Sequence, residues 1–270
     1  MKVTEFGKEN EKTLMLLPGT SCTWEMNFSK ILDPLKEHYH VLCVNYTGYD
    51  DSGEIFTTQT EETEKIESYV KEHFNGKLDG VYGSSMGGSF ASLLLQRRKI
   101  HINHIFIGSS DMDQASPFAA RIETALIWKV MSRFAKDPEK FIAKMKKQMA
   151  KKNMSIGTTP DGKESDGSFM LSIMEGLIAN IQKIDPKTGK NQFYSDLVTK
   201  IDDHIEVAGS TVHVFYAEEM GEKYLKRYSQ HFANPDIIPF PCGHEGWLVS
   251  PDKMLPVFDR CLKGIGKSNS

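Results

Sequence analysis

Residues 78–98, LDGVYGSSMGGSFASLLLQRR, decide how this chain is read: a short apolar run meets Gly83-Ser84-Ser85-Met86-Gly87 and passes at once into a helix-forming stretch. The pattern is G-x-S-x-G between a strand and a helix. A strand that turns so sharply into a helix forces its turn residue into a strained backbone conformation, and small neighbours let the two elements approach. Gly83, Gly87 and Gly88 supply them. The geometry lifts Ser85 above the sheet edge and leaves its Oγ beside the amide-rich start of a helix, where negative charge is stabilised. Ser85 is therefore the candidate nucleophile. Taken alone, a glycine-serine turn does no more than join two elements. What favours a catalytic elbow is the setting, with a strand-like LDGVY before it and Ala91, Leu94 and Leu95 at helical spacing after it.

Outward from this stretch, strands and helices alternate. Residues 58–74 read as a helix opened by Thr58 and Glu61 in capping-box spacing, with Ile66, Tyr69, Val70 and Phe74 on one stripe. Residues 2–6 and 12–17 read as two extended runs around a turn at Gly7–Asn10, an antiparallel hairpin at one sheet edge, although TLMLL is apolar enough for a central strand. Phe28–His38 reads as a helix, and His40–Asn45 and His104–Gly108 as strands. The pattern resumes at Thr211–Tyr216, Glu222–His231, Asp236–Phe240 and a last helix near 252–263. Alternation of this kind predicts an α/β fold with a mostly parallel sheet covered on both faces. Ligands of such sheets bind beyond the carboxyl ends of the strands, where both Ser85 and the loop Pro18–Trp24 are expected.

Between 116 and about 203 the alternation breaks into helical patterns alone, so residues 113–203 are expected to form a helical insertion in a core of 1–112 and 204–270. One stripe is Phe141, Ile142, Met145 and Met149, with lysines opposite; another runs from Phe169 through Ile173, Met174, Leu177 and Ile178 to Ile181. Ser155–Gly167 reads as a loop. From Lys129 to Lys152, nine Lys or Arg stand against two acidic residues, a local charge of +7. This reads as a solvated face, or as one that attracts anionic acyl substrates or a lipid surface.

At 270 residues the chain can bury a substantial core. Its formal charge of -3 carries no global field for nucleic acid or membranes. Cys22, Cys43, Cys242 and Cys261 show no C-x-x-C spacing, no apolar stretch reaches bilayer length, and the first residues lack the apolar core of a signal peptide. A reduced, cytoplasmic protein without integral membrane association or nucleic-acid partner is expected. No His, Cys, Asp and Glu spacing suits a metal, and no glycine loop resembles a phosphate cradle, so no cofactor is expected.

Four segments, LLPGTSCTW, NYTGYDDS, GSSMGG and CGH, occur in the order of the oxyanion loop, the loop after the fourth strand, the nucleophile elbow and the histidine loop of the α/β-hydrolase superfamily. The chain resembles that superfamily over nearly its whole length outside the insertion. The resemblance implies the α/β-hydrolase fold, with an all-helical cap after what the family counts as its sixth strand, here His104–Gly108. Pro18 stands where many members have His and Asn45 where Asp is usual; neither change removes a backbone donor. The implied oxyanion donors are the amides of Thr20 and Met86. Trp24 is expected to pack the loop against the core, and Cys22 to be a small buried thiol.

A serine nucleophile needs a base, and histidine suits that work near neutrality. Of nine histidines, His244 alone lies in a glycine-flanked loop after the last strand, where the resemblance puts the base. The orienting carboxylate is less readily placed. Aligned on the commonest family position, HVFYAEEMG puts Met220 where the acid belongs, with Glu218 and Glu219 one or two residues early. The other family position is met by Asp111, the preferred candidate, with Asp113 and Glu219 as alternatives and the role of helix N-cap as the structural reading of Asp111. Hydrolysis of a small ester or related acyl substrate through an acyl-enzyme on Ser85 is the expectation. Peptidase, thioesterase or lyase chemistry on the same triad stays open, as does a binding-only member of the fold.

Overall fold

A computed structural model describes residues 1–152 and 168–264, and it leads the chain through β1 (Lys2–Phe6), β2 (Thr13–Leu17), α1 (Trp24–Lys36), β3 (His40–Asn45), α2 (Gln59–Phe74), β4 (Lys77–Gly83), α3 (Met86–Arg97) and β5 (His101–Ile107). Four helices follow, α4 (Pro117–Lys136), α5 (Pro138–Lys152), α6 (Ser168–Lys183) and α7 (Pro186–Val198), before β6 (Thr211–Ala217), α8 (Glu222–His231), β7 (Asp236–Phe240) and α9 (Pro251–Leu262). The seven strands form one sheet in the order β1-β3-β2-β4-β5-β6-β7. Every neighbouring pair is parallel except β1 with β3.

The expected hairpin of residues 2–6 with 12–17 does not form. β1 is an antiparallel edge strand, as expected, but it pairs with β3, while β2 lies between β3 and β4. The apolarity of TLMLL explains this outcome. Leu14 and Leu16 point into one hydrophobic cluster with Phe28, Ile31, Phe258 and Trp247, whereas Met15 and Leu17 point into another with Ile66, Val70, Phe90 and Leu94. A strand with side chains buried on both faces belongs in the sheet centre. At roughly 1.5–3 kcal/mol for each fully buried Leu or Met, this placement outweighs a short hairpin turn.

Helices α1 and α9 cover one face of the sheet, and α2 and α3 the other. α2 begins as its sequence predicts: the Thr58 side chain accepts from the Glu61 amide at 3.1 Å, though the Glu61 carboxylate takes the Thr57 hydroxyl rather than completing the box. α1 starts four residues ahead of the expected Phe28, because Asn45 at the end of β3 accepts the Trp24 amide at 2.7 Å. β5 likewise starts at His101 rather than His104, its first amide bonded to the Gly76 carbonyl at 2.8 Å.

Between β5 and β6 the described residues hold helices and no strand. α4 is capped by Ser116, whose side chain accepts from the Ala119 amide. It buries Ala120, Thr124 and Trp128, and Trp128 lies so close over Gly189 of α7 that a Cβ there would stand 2.0 Å from the ring. The Ser155–Gly167 stretch, expected as a loop, lies outside the described residues, as do the side chains of Met145, Met149, Phe169, Ile173 and Met174 from the two apolar stripes. Within the second stripe, Ile178 and Ile181 are buried. No helix is long and apolar enough to cross a membrane among the described residues.

Candidate active site

β4 delivers the chain to Gly83, and α3 begins three residues later. In between, Ser85 adopts φ 51° and ψ -121°, a strained conformation for any residue with a Cβ. The turn is closed by hydrogen bonds from the Ser84 amide to Leu17 and from the Gly87 amide to Ser84, 3.0 and 2.7 Å long. Glycine is required on both sides: a Cβ on Gly83 would lie 2.1 Å from the Gly87 carbonyl oxygen, and one on Gly87 as close to that of Leu17. From Val81 to Leu95, Ser85 is the one residue that is not buried. Its hydroxyl therefore stands at the mouth of the turn. Met86 is the first residue of α3, so its amide has no acceptor within the helix and lies at the positive end of the helix dipole.

The glycine loop after β2 packs directly on this turn, since a Cβ on Gly19 would lie 3.3 Å from that of Ser85. The Asn27 side chain accepts the Gly19 amide at 2.8 Å, and the Tyr46 hydroxyl donates to the Pro18 carbonyl. Thr20 follows, half-buried, then Ser21 at φ 56°. Trp24 packs edge-on against Phe6, with ring centroids 5.3 Å apart. Cys22 is buried, and burial pushes its thiol up to about 12. All four cysteines are free. A polar cleft of about 420 Å³ opens beside the loop, lined by Thr23, Asn45 and Tyr49 and by Asn180 and Lys183 of α6, and Ser85 is not among its lining residues.

His244 lies in the loop between β7 and a short 3-10 turn at Gly246–Val249, exposed to solvent. It makes no hydrogen bond with Ser85 or Asp111 among the described residues. The connection between this loop and the elbow runs through its neighbour Glu245, which reading the sequence did not single out. Glu245 is buried, at φ 57°. Its Oε1 accepts the Ser85 amide at 2.9 Å, its Oε2 accepts the Tyr82 hydroxyl at 2.5 Å, and its own amide donates to Ser109 Oγ at 3.0 Å. Trp247 Nε1 donates in turn to Tyr82. Burial raises the Glu245 carboxyl above the ordinary carboxylate range, opposed by the nearby His244 and by these donors. Gly108 leaves room for the carboxylate, since a Cβ there would lie 2.6 Å from Oε1.

The three candidate carboxylates part company here. Asp111 is exposed; Arg227 of α8 donates to its backbone carbonyl at 2.7 Å and pairs with the carboxylate of Asp113. Asp111 does not cap α4, a role that Ser116 fills. Glu219 lies in the 3-10 turn after β6, and its amide donates to the Cys242 carbonyl at 3.3 Å, two residues ahead of His244. A fourth carboxyl, Asp196 of α7, is half-buried and accepts from Gln59 Nε2 at 3.4 Å, and desolvation followed by the charge of Asp111 pushes it up to about 7. Among the described residues no cluster of three or more His, Cys, Asp and Glu could hold a metal ion.

Set against known proteins, residues 12–153, just over half of the chain, match the family model described as alpha/beta hydrolase fold. No curated protein matches the sequence. Among solved structures, an alpha/beta hydrolase family protein from Desulfitobacterium hafniense superposes with a TM-score of 0.71 at 17% identity, covering 97% of this chain and 100% of its own. A thermophilic esterase from Thermogutta terrifontis gives 0.69 at 14% identity, over 97% of this chain and 93% of its own. The epoxide hydrolase CorEH gives 0.68 at 16% identity, over 98% and 95%. At such identities the likeness carries the fold and leaves the chemistry to the site.

Proposed function

This chain belongs to the α/β-hydrolase fold family, and on that premise we propose that it is a serine hydrolase cleaving an ester or related acyl bond of a small substrate through an acyl-enzyme on Ser85. The observation that carries the reading is the Ser85 backbone at φ 51° and ψ -121° in an otherwise buried turn. Strain of this kind persists where surrounding contacts impose it, and it aims one hydroxyl at the helix start.

In the proposed reaction His244 takes the Ser85 proton as the Oγ attacks the acyl carbon. The amides of Met86 and Thr20 receive the oxyanion of the tetrahedral intermediate. The protonated His244 then gives its proton to the leaving alcohol, and water, activated by the same His244, releases the acid and restores Ser85. Glu245 supports this by tying the His244 loop to the Ser85 amide, which brings the base to the nucleophile's side of the sheet. His244 is not hydrogen-bonded to Ser85 among the described residues, and bonds of this kind commonly tighten as substrate binds. Of the carboxylates, Glu219 is favoured as the group that orients His244, because its backbone is bonded to the His244 loop while Asp113 is engaged by Arg227. α4 to α7 leave the core at the same sheet edge and are read as a cap of 113–203 over Ser85.

The nucleophilic step is better defined than the bond. An ester, a thioester and an amide all pass through the same tetrahedral species. The experiment is hydrolysis of a chain-length series of p-nitrophenyl esters by wild type and Ser85→Ala. Turnover that disappears in Ser85→Ala, on the order of a thousandfold or more, supports the reading. Equal turnover in both proteins refutes the nucleophile, and a folded wild type that binds acyl ligands without turning any over makes it a binding-only member.

A further inference from the structure

We propose that Gln192 and Asn180, side chains of the helices inserted between β5 and β6, are positioning residues that hold the glycine loop in the shape an oxyanion hole needs. The proposal rests on the reading of Ser85 as nucleophile and of the Thr20 amide as an oxyanion donor.

An amide can serve as such a donor only if the peptide groups around it are fixed before the reaction. On one side of Thr20, the Gly19 amide is bonded to Asn27 of α1, within the core. On the other side stands Ser21, fully buried, in a left-handed conformation at φ 56° that a residue with a Cβ does not adopt unaided. Both backbone polar groups of Ser21 are held from the insertion. Its amide donates to Gln192 Oε1 of α7 at 2.8 Å, and its carbonyl accepts from Asn180 Nδ2 of α6 at 3.0 Å. Tyr49 joins the same cluster, its hydroxyl 3.0 Å from Gln192 Oε1 and 3.2 Å from Ser21 Oγ.

The Gln192 side chain is used unevenly. It is 1% exposed, its Oε1 receives two donors, and its Nε2 has no partner among the described residues. The acceptor end is thus the part of the amide that the loop depends on. Asn180 has the opposite polarity, with Nδ2 serving as donor to Ser21 and lying 2.9 Å from Met26 Sδ. One side chain accepts and the other donates, and together they fix the peptide groups next to Thr20 from 159 and 171 residues further along the chain. The inserted helices thereby hold the loop that supplies the Thr20 donor. A displacement that drew α6 and α7 away from the core would release that donor.

The polarity gives the test. Gln192→Glu keeps an acceptor for the Ser21 amide and removes the unpartnered donor, whereas Gln192→Met removes the acceptor at similar volume. Asn180→Asp turns the donor into an acceptor facing the Ser21 carbonyl. The readouts are kcat and KM for a p-nitrophenyl ester and, independently of activity, hydrogen exchange of a peptide spanning residues 18–24, each on protein shown to be folded. Gln192→Met and Asn180→Asp are expected to speed exchange in the loop but not in β2, and to lower kcat by roughly 10–100-fold with KM within about threefold. Gln192→Glu is expected to keep kcat within about fivefold of wild type. Unchanged loop exchange in Gln192→Met and Asn180→Asp overturns the grip, and faster exchange with wild-type kcat overturns its link to the reaction. A fall in Gln192→Glu as deep as in Gln192→Met overturns the role of the acceptor. Should Ser85→Ala retain turnover, the hydrolase reading fails instead, and the exchange data still decide whether the loop is held from the insertion.

Discussion

Strain at Ser85 predicts opposite responses from two adjacent serines when each is changed to glycine and to alanine. At φ 51° and ψ -121°, Ser85 occupies a region in which a Cβ costs about 1–3 kcal/mol, a strain that Ser85→Ala retains and Ser85→Gly relieves. Against this, glycine adds unfolded-state freedom worth about 0.4–1 kcal/mol relative to alanine. Both variants lack the hydroxyl, so the difference between them isolates the backbone. Ser85→Gly should be more stable than Ser85→Ala by about 0–2.5 kcal/mol, which in a chain of this size is up to about 5–10 °C in melting temperature. Ser84, unlike Ser85, is buried, and it is absent from the positive-φ residues. There the order should reverse, with glycine below alanine by about 0.5–1 kcal/mol. Urea midpoints at unchanged slope would provide the comparison. Ser85→Gly falling 1 kcal/mol or more below Ser85→Ala refutes the strained elbow.

Two further outcomes follow from the site. Glu219→Gln, compared with Asp111→Asn at equal folded fraction, should be the variant that loses most of its activity, since the amide cannot support an imidazolium; full activity in both moves the orienting role to another carboxylate such as Asp113. Asp196 titrates at about 7 when folded, above its unfolded value of about 4. The native state therefore binds the extra proton between those values, so its contribution to stability is complete at low pH and is lost as pH rises from about 4 through about 7. Asp196→Asn should remove that decline, and denaturation curves across the range with the same slope in both proteins would contradict the assignment.

How much of this was legible in the sequence depended on how local the physics is. The elbow was legible because Gly83, Ser85 and Gly87 answer a local steric demand within five residues, and the start of α2 because Thr58 caps its own helix. The misreadings came from partners distant in sequence. The hairpin of residues 2–6 with 12–17 was read from a turn, whereas the pairing of β2 followed from burial on both of its faces. The local pattern starts α1 late because its first amide is capped by Asn45, 21 residues further along. Glu245 reads in the sequence as one charged residue in a loop, and its one signal is its position beside His244 in a glycine-flanked segment. Gln192 and Asn180 carried no signal at all, because an amide side chain on a helix declares its partner only when the fold brings a loop to it.

The central claim is that Ser85 is an activated nucleophile, and covalent labelling tests it without knowledge of the substrate. The folded protein is treated with a fluorophosphonate probe, digested and mapped by peptide mass spectrometry, alongside Ser85→Ala and His244→Ala. The account predicts a single adduct on the peptide carrying Ser85, absent from Ser85→Ala and formed at least about a hundredfold more slowly in His244→Ala. A wild type that stays unlabelled, or an adduct placed on another residue, contradicts it.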